Sequence, residues 1–247
     1  MPFTFSHPAI VLPLNYISDR WVSLTGLVIG SIVPDFEKFI KMEPGNTFSH
    51  TWFGIFWFNL PLAIILTFVF HQVVRNPLIN NLPAFFRKRL YRYTNFYWKQ
   101  RFKKHYVVVT ISIIIGAASH IIWDRLTYEE GYVIQRVPLV LNFFETFNIY
   151  FYNVLDIISS GIGAIIIFYT LIQLPPQEIP ERKGRVKIKY WFTVLNIFFL
   201  IVFFRLLTDL NLNQKWELLY TSISAGLLSL ILSPLLLKRI AKGSVSK

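Results

Sequence analysis

Five residues in the first half of the chain carry side chains that could hold a metal ion: His7, Asp35, His50, His120 and Asp124. His120 and Asp124 stand four residues apart, so on a helix their side chains share one face with Cβ atoms about 6 Å apart. Such a pair can chelate one ion, or it can form a single imidazole–carboxylate hydrogen bond that only stabilises the helix. Three imidazoles and two carboxylates together suit Zn²⁺ or a similar divalent ion. The sequence therefore predicts a divalent-metal cofactor, with zinc as the expected ion.

Two acids follow Pro34, and they are the candidates for proton transfer. Pro34 suits the first turn of a helix, where acids can simply stabilise the helix dipole. If residues 34–41 are helical, Asp35 and Glu37 point about 200° apart, so only one of them can face a shared centre. We expect Asp35 there, as a ligand or as the general base, and Glu37 is the alternative catalytic base.

Other kinds of reactive centre are absent from the sequence. The chain has no Cys, which excludes a disulfide framework, a thiolate metal site and a cysteine nucleophile. It also has no Gly-x-Ser-x-Gly elbow of the kind that serine hydrolases use. His71 and His105 fall at the opposite ends of the apolar stretches from His50 and His120. We therefore assign His71 and His105 to interfacial packing.

The composition is that of an integral membrane protein. Hydrophobic residues make up 54% of the chain and charged residues 15%, whereas a soluble domain carries about a quarter of its residues as charges. The formal charge of +12 would suggest nucleic acid in a soluble protein. In a membrane protein an excess of Lys and Arg reports topology instead.

Five apolar stretches are each long enough to cross the hydrocarbon core of a bilayer, about 30 Å, as a helix. They are residues 52–70, 107–123, 157–174, 190–207 and 218–237. The shorter stretch 21–33 predicts a re-entrant or buried helix, and the aromatic stretch 137–155 predicts an interfacial one. The expected fold class is all-α, a polytopic membrane bundle with about five transmembrane helices. Residues 1–135 would form the metal-site half and residues 136–247 a helical scaffold.

The connections between these stretches alternate between few and many Lys and Arg residues. Because basic connections stay in the cytoplasm, we expect the N-terminus outside and the C-terminus in the cytoplasm. The five candidate ligands then lie at the outer face, where ionisable groups near lipid are expensive and usually mark a site. No N-terminal signal peptide is evident. The basic, aromatic run 87–104 fits a cytoplasmic helix beside anionic lipid better than a nucleic-acid patch, so no nucleic-acid partner is expected.

Four short blocks contain all the candidate ligands: residues 1–9, 30–37, 49–50 and 119–124. Together they resemble the DUF4184 family of bacterial membrane proteins. More distantly, their order is similar to the YdjM-type membrane-bound metal-dependent hydrolases and to the zinc-dependent phospholipase C fold. The resemblance implies a helical His/Asp site, one or two metal ions and a place in the bacterial inner membrane. Relatives often continue the last block with Thr-His, whereas Thr127 is followed here by Tyr128, so an additional ligand or base is missing.

Two functions remain open at this point. In the first, the chain is a metal-dependent hydrolase at the outer membrane face, acting on a phosphoester of a lipid or lipid-linked substrate. His50, His120 and Asp124 would hold the ion, with Asp35 or His7 completing the site. In the alternative, the protein is a non-enzymatic multipass scaffold or interaction protein, and the same residues form a structural His/Asp network.

Overall fold

Helices joined by turns and loops make up the part of the chain that the computed structural model describes. It comprises residues 3–18, 20–127, 136, 150–179, 184–208, 210 and 214–245. Numbered along the chain, the helices are α1 Pro8–Val11, α2 Leu24–Ile32, α3 Phe36–Lys41, α4 Trp52–Asn81, α5 Ala84–Leu90, α6 Trp98–Thr127, α7 Phe151–Gln173, α8 Gly184–Thr208 and α9 Lys215–Val245. Short 3₁₀ turns at Thr4–Ser6, Leu12–Tyr16, Val33–Asp35 and Tyr91–Asn95 connect some of them. Since no strand occurs in these residues, the predicted all-α class is confirmed.

Five helices are long and apolar enough to cross a membrane: α4, α6, α7, residues Ile188–Thr208 of α8 and residues Lys215–Arg239 of α9. Each predicted stretch lies largely within one of them, so the expected number of spans is confirmed by length and composition. The helices run further than the apolar stretches because the helical backbone continues into polar and basic residues. The predicted interfacial helix at 137–155 lies mostly outside the described residues, and its last five residues belong to α7.

Two turns of α4 are wound more loosely than an α-helix, as π-helix, at Ile55–Asn59 and Phe70–Val74. Each comes shortly before a proline, Pro61 and Pro77. Proline has no N–H to give to the preceding turn, and π-turns are one way in which a helix accommodates such a break. The first of these turns follows the segment that carries His50.

The chain forms two compact units. The first contains Met1–Phe36, Thr47–Ile65 and Phe102–Gln173, and the second contains Glu37–Asn46, Leu66–Arg101 and Leu174–Lys247. All five candidate ligands belong to the first unit. The prediction that residues 1–135 and 136–247 form separate halves stays a prediction.

In the first unit, α2 packs against α6 with the two backbones in close contact. A Cβ atom on Gly30 would lie 2.3 Å from the carbonyl oxygen of Ile113, and one on Gly116 would lie 2.4 Å from that of Leu27. Glycine is therefore required on both sides of this contact. At 9 residues α2 is only about 14 Å long, too short to span a bilayer, which agrees with the helix expected within 21–33.

The second unit has polar links of its own. The guanidinium of Arg205 contacts the carboxylates of Glu43 at 3.1 Å and Glu217 at 3.4 Å. His71 stacks on Trp98 with ring centroids 4.6 Å apart, and its Nδ1 lies 2.8 Å from the guanidinium of Arg75. These contacts give His71 a packing environment remote in sequence from the candidate ligands.

Candidate metal centre

Four segments of the first unit bring the candidate ligands together. His7 caps the start of α1, where Pro8 occupies the first helical position. Asp35 ends the 3₁₀ turn that follows α2, and His50 lies in the loop that precedes α4. His120 and Asp124 lie one turn apart near the end of α6.

The inner part of the centre is a triangle formed by His50, His120 and Asp124. The Nε2 atoms of the two histidines are 3.2 Å apart, and Asp124 Oδ2 lies 3.1 Å from that of His50 and 3.2 Å from that of His120. Zinc–ligand bonds of about 2.0–2.2 Å set tetrahedral ligands about 3.3–3.6 Å apart. The triangle therefore has nearly the size that one tetrahedral ion requires.

Asp35 and His7 complete the cluster. Asp35 presents Oδ1 to His50 Nε2 at 3.6 Å and Oδ2 to His120 Nε2 at 3.8 Å. His7 stacks on the His120 ring with centroids 3.8 Å apart, and its Nε2 lies 3.6 Å from Asp124 Oδ1. Two overlapping triads could hold an ion, one of His50, His120 and Asp124 and one of His7, Asp35 and His120. The structure thus brings all five predicted ligands to one place.

His120 belongs to both triads, and its hydrogen bonding limits what they can bind. Its Nδ1 lies 2.7 Å from the carbonyl oxygen of Ser31, which can only accept, so Nδ1 carries the proton. Neutral His120 then has one lone pair, on Nε2, and this pair points into the cluster. Because one lone pair serves one ion at a time, the two triads form a single centre. This arrangement is typical of metal-ligating histidines, whose other nitrogen donates to a backbone carbonyl.

Hydrogen bonds from the surrounding residues hold the other ligands in place. The hydroxyl of Thr4 donates to Asp35 Oδ2 at 2.5 Å, and the Ser49 hydroxyl lies 3.0 Å from His50 Nδ1. The side-chain amide of Asn59, in the first π-turn of α4, donates to the carbonyl oxygen of Ser49 at 2.8 Å. Ligands oriented in this way need little rearrangement on binding.

Helix α7 holds the segment that carries His7. The backbone N–H of Phe3 donates to the Ser160 hydroxyl at 2.8 Å, and the Ser6 hydroxyl donates to the Ser160 carbonyl at 2.9 Å. A Cβ atom on Gly163 would lie 2.7 Å from the Cβ of Ser6, so α7 contacts this segment closely. Sequence reasoning treated α7 as scaffold and missed this role.

The centre is buried on all sides but one. The side chains of His7, Asp35, His120 and Asp124 are between 0% and 6% exposed, whereas that of His50 is 18% exposed. Burial lowers the pKa of the His50 imidazole from its ordinary value, although its hydrogen bond to Asp124 acts in the opposite direction. The lowered pKa favours the neutral form of His50, which is the form that binds metal. Buried carboxylates need compensating positive charge, and a divalent ion supplies two.

Glu37, the alternative catalytic base, belongs to neither triad. It lies in α3, where its carboxylate pairs with the Lys41 ammonium one turn later, and the residue is 1% exposed. Asp35 precedes α3 in a 3₁₀ turn and joins the cluster. The catalytic role of either acid stays a prediction.

Sequence reasoning named Ser49, which flanks His50, as a residue that could orient a ligand, and its hydroxyl lies 3.0 Å from His50 Nδ1. It did not identify the other supporting residues, Thr4, Ser31 and Ser160. Thr4 stands inside the same short block as His7, so its position gave a signal that could have been used. The carbonyl groups of Ser31 and Ser160 gave none, because every residue possesses a backbone carbonyl. Their contacts with His120 and with Ser6 join residues 89 and 154 positions apart.

Comparison with protein families gives the chain a family but no activity. The model of DUF4184, a domain of unknown function, matches residues 1–237. The chain belongs to the DUF4184 family. The match extends well beyond the first 135 residues, so the DUF4184 domain includes α7, α8 and most of α9. No curated protein and no solved structure matches this DUF4184 chain.

Proposed function

We propose that this DUF4184 protein is a membrane-bound, metal-dependent hydrolase that acts at the outer membrane face on a phosphoester of a lipid or lipid-linked substrate. The observation that carries the proposal is the convergence of three imidazoles and two carboxylates from four segments on one buried point. Ionisable groups are costly to keep near lipid and are commonly functional there. Metal binding would explain why these ionisable side chains are buried together.

The donor set favours zinc. Imidazole nitrogens and carboxylate oxygens are its usual ligands when no thiolate is available. The short distances among His50, His120 and Asp124 suit its small coordination sphere, and Asp35 is the next donor at 3.6 Å from His50. Two carboxylates balance the charge of one divalent ion, so we propose a single zinc ion.

A zinc ion held by His50, His120 and Asp124 would supply Lewis-acid chemistry, because it would activate water as a nucleophile and polarise a phosphoryl oxygen. The chain itself contributes orientation and proton transfer. Ser31 fixes the orientation of the His120 ring, and Thr4 fixes Asp35 through Oδ2. The other oxygen of Asp35 faces His50, the exposed side of the centre. When Asp35 does not coordinate the ion, it can therefore hold a proton during hydrolysis on the side where a substrate approaches.

We propose that the centre acts at the outer face of a bacterial inner membrane. The alternation of basic residues along the sequence supports an orientation in which the ends that carry His50 and Asp124 face outside. A lipid can reach this side from the leaflet without a soluble binding domain. The distant similarity of the ligand blocks to YdjM-type hydrolases and to the zinc-dependent phospholipase C fold supports hydrolysis as the reaction.

Metal analysis of the detergent-purified full chain tests the metal centre. We expect about one zinc per wild-type chain and strongly reduced zinc in His120→Ala and Asp124→Ala. The control is His105→Ala, because His105 lies on the same helix but outside both triads. Equal metal content in all four proteins would remove the proposal.

Lipid-extract incubation tests the reaction. Head-group release is followed for the wild type and for Asp35→Asn, which keeps the size of the side chain but removes its charge and basicity. We expect release by the wild type and a loss of at least about 100-fold in the variant, within the range of general-base catalysis.

The alternative function is a non-enzymatic membrane scaffold or interaction protein. It is favoured by the contacts of Asp124 Oδ2, which hydrogen-bonds His50 and lies 3.2 Å from His120, so the cluster is internally connected without an ion. Such networks can fix helix packing. Wild-type protein that binds no zinc, and that releases no more head group than Asp35→Asn, would favour the scaffold.

A further inference from the structure

The exposed side of the candidate centre lies beside an arginine. His50 is the ligand with appreciable side-chain exposure, at 18%, so a substrate would approach from its side. Arg125 follows Asp124 directly in α6, and Trp52 comes two residues after His50 at the start of α4. The inference that follows rests on the proposed function, because it concerns what this entrance recognises.

Two contacts join the segment around His50 to the C-terminal end of α6. His50 meets Asp124 at 3.1 Å inside the centre, and the guanidinium of Arg125 lies over the Trp52 ring at 5.3 Å from its centroid. Both Arg125 and Trp52 are exposed. The indole face attracts the cation and reduces its freedom, so the guanidinium is held against the start of α4, two residues after His50.

The N–H groups of the Arg125 guanidinium can donate hydrogen bonds to a ligand. Within the described part of the chain its guanidinium forms no ion pair and no hydrogen bond, and it contacts the Trp52 ring. A guanidinium presents paired N–H groups that match two oxygens of a phosphate, a geometry that lysine cannot reproduce. Tryptophan is enriched where hydrocarbon meets water, which is the level of lipid phosphates.

We infer that Arg125, held by Trp52, binds the phosphate group of a lipid headgroup and positions the phosphoester against the metal centre. This assigns Arg125 to substrate recognition and names the substrate class as phosphate-bearing lipids. Free inorganic phosphate offers the same chemistry, and the experiment below separates the two sources.

The first unit contains a matched control for this pair. The guanidinium of Arg20 lies over the Trp21 ring at 5.7 Å, and both residues are exposed. Neither residue neighbours a candidate ligand in the sequence. Arg20→Gln therefore removes the same charge and the same type of contact as Arg125→Gln, at a position that neighbours no candidate ligand in the sequence.

Native mass spectrometry of the full chain in detergent measures retention of phosphatidylglycerol. We expect Arg125→Gln to raise the dissociation constant at least about fivefold and Arg125→Lys to give an intermediate value. We expect Arg20→Gln to stay within about twofold of the wild type. Equal affinities in all four proteins, or equal losses in Arg125→Gln and Arg20→Gln, would overturn the inference, because recognition would then lie elsewhere or reside in general surface charge.

Competition with inorganic phosphate identifies the source of the phosphate. Displacement of the lipid from the wild type supports recognition of phosphate alone. Retention of the lipid supports recognition of the headgroup together with its acyl chains. Zinc content is measured in the same samples and should be unchanged in Arg125→Gln. A wild type without zinc would defeat the hydrolase proposal and still leave the comparison of Arg125 with Arg20 decisive for lipid binding.

Discussion

Replacement of Thr4 by valine should weaken metal binding without changing any ligand. The Thr4 hydroxyl donates to Asp35 Oδ2 at 2.5 Å, and Thr4 is 6% exposed, so water has little access to replace it. Valine has nearly the same shape as threonine, and the substitution removes the donor without leaving a cavity. Asp35 then loses the hydrogen bond that orients it towards His50 and His120.

The expected loss can be estimated from the type of bond. Partners that orient metal ligands are typically worth 10- to 100-fold in affinity, which corresponds to about 1.4–2.7 kcal/mol. A hydrogen bond to a charged acceptor contributes about 1.5–3 kcal/mol, in the same range. We therefore expect the zinc dissociation constant of Thr4→Val to rise about 10- to 100-fold, measured by competition with a chromophoric chelator in detergent.

Thr170→Val is the matched control for this experiment. Thr170 is exposed, and its hydroxyl donates to the Ile166 carbonyl within α7, away from the ligands. The zinc affinity of Thr170→Val should equal that of the wild type. Equal affinities for Thr4→Val and Thr170→Val would refute the reasoning, because the Thr4–Asp35 hydrogen bond would then not influence the centre.

Three further predictions concern packing and metal removal. Gly163→Ala should weaken zinc binding, because its Cβ would collide with Ser6 in the segment that carries His7. Gly161→Ala should not, because no atom from the surroundings lies within 4 Å of the added Cβ. Chelator competition compares the zinc affinities of the two variants. Gly30→Ala should destabilise the fold by at least about 1–3 kcal/mol, because the new Cβ would lie 2.3 Å from the Ile113 carbonyl oxygen. Denaturation in mixed micelles measures the loss of unfolding free energy. A variant as stable as the wild type would contradict the close contact of α2 with α6. Chelation of the ion from wild-type protein should remove about 4 kcal/mol of stability at a free zinc concentration 1,000 times the dissociation constant; a melting temperature insensitive to chelator would argue against a bound ion.

The number of spans could be predicted from the sequence because it depends on local composition. A helix must satisfy its own backbone in hydrocarbon, so apolar length alone identifies a candidate span. The ends of the spans follow the same local rule less closely. The second span was predicted to begin at residue 107, and α6 begins at Trp98 but is kinked at His105, where the backbone leaves helical geometry.

The candidate ligands could also be named from sequence, for a different reason. Imidazole and carboxylate are the usual protein ligands of zinc in a chain without cysteine, and spacing pairs His120 with Asp124 on a helix. Periodicity also indicated that Asp35 and Glu37 could not both face one centre. Asp35 lies in the cluster, and Glu37 pairs with Lys41.

The sequence by itself determined that the chain has five helices long and apolar enough to span a membrane and which side chains could bind metal, because both follow from residue type and short spacing. Only the tertiary structure decided that the two triads share His120 and that Ser31, Thr4 and Ser160 support them. Their contacts join residues 89, 31 and 154 positions apart, and two of the three use backbone carbonyls. A carbonyl is the same in every residue, so the chain path alone determines which one meets a ligand.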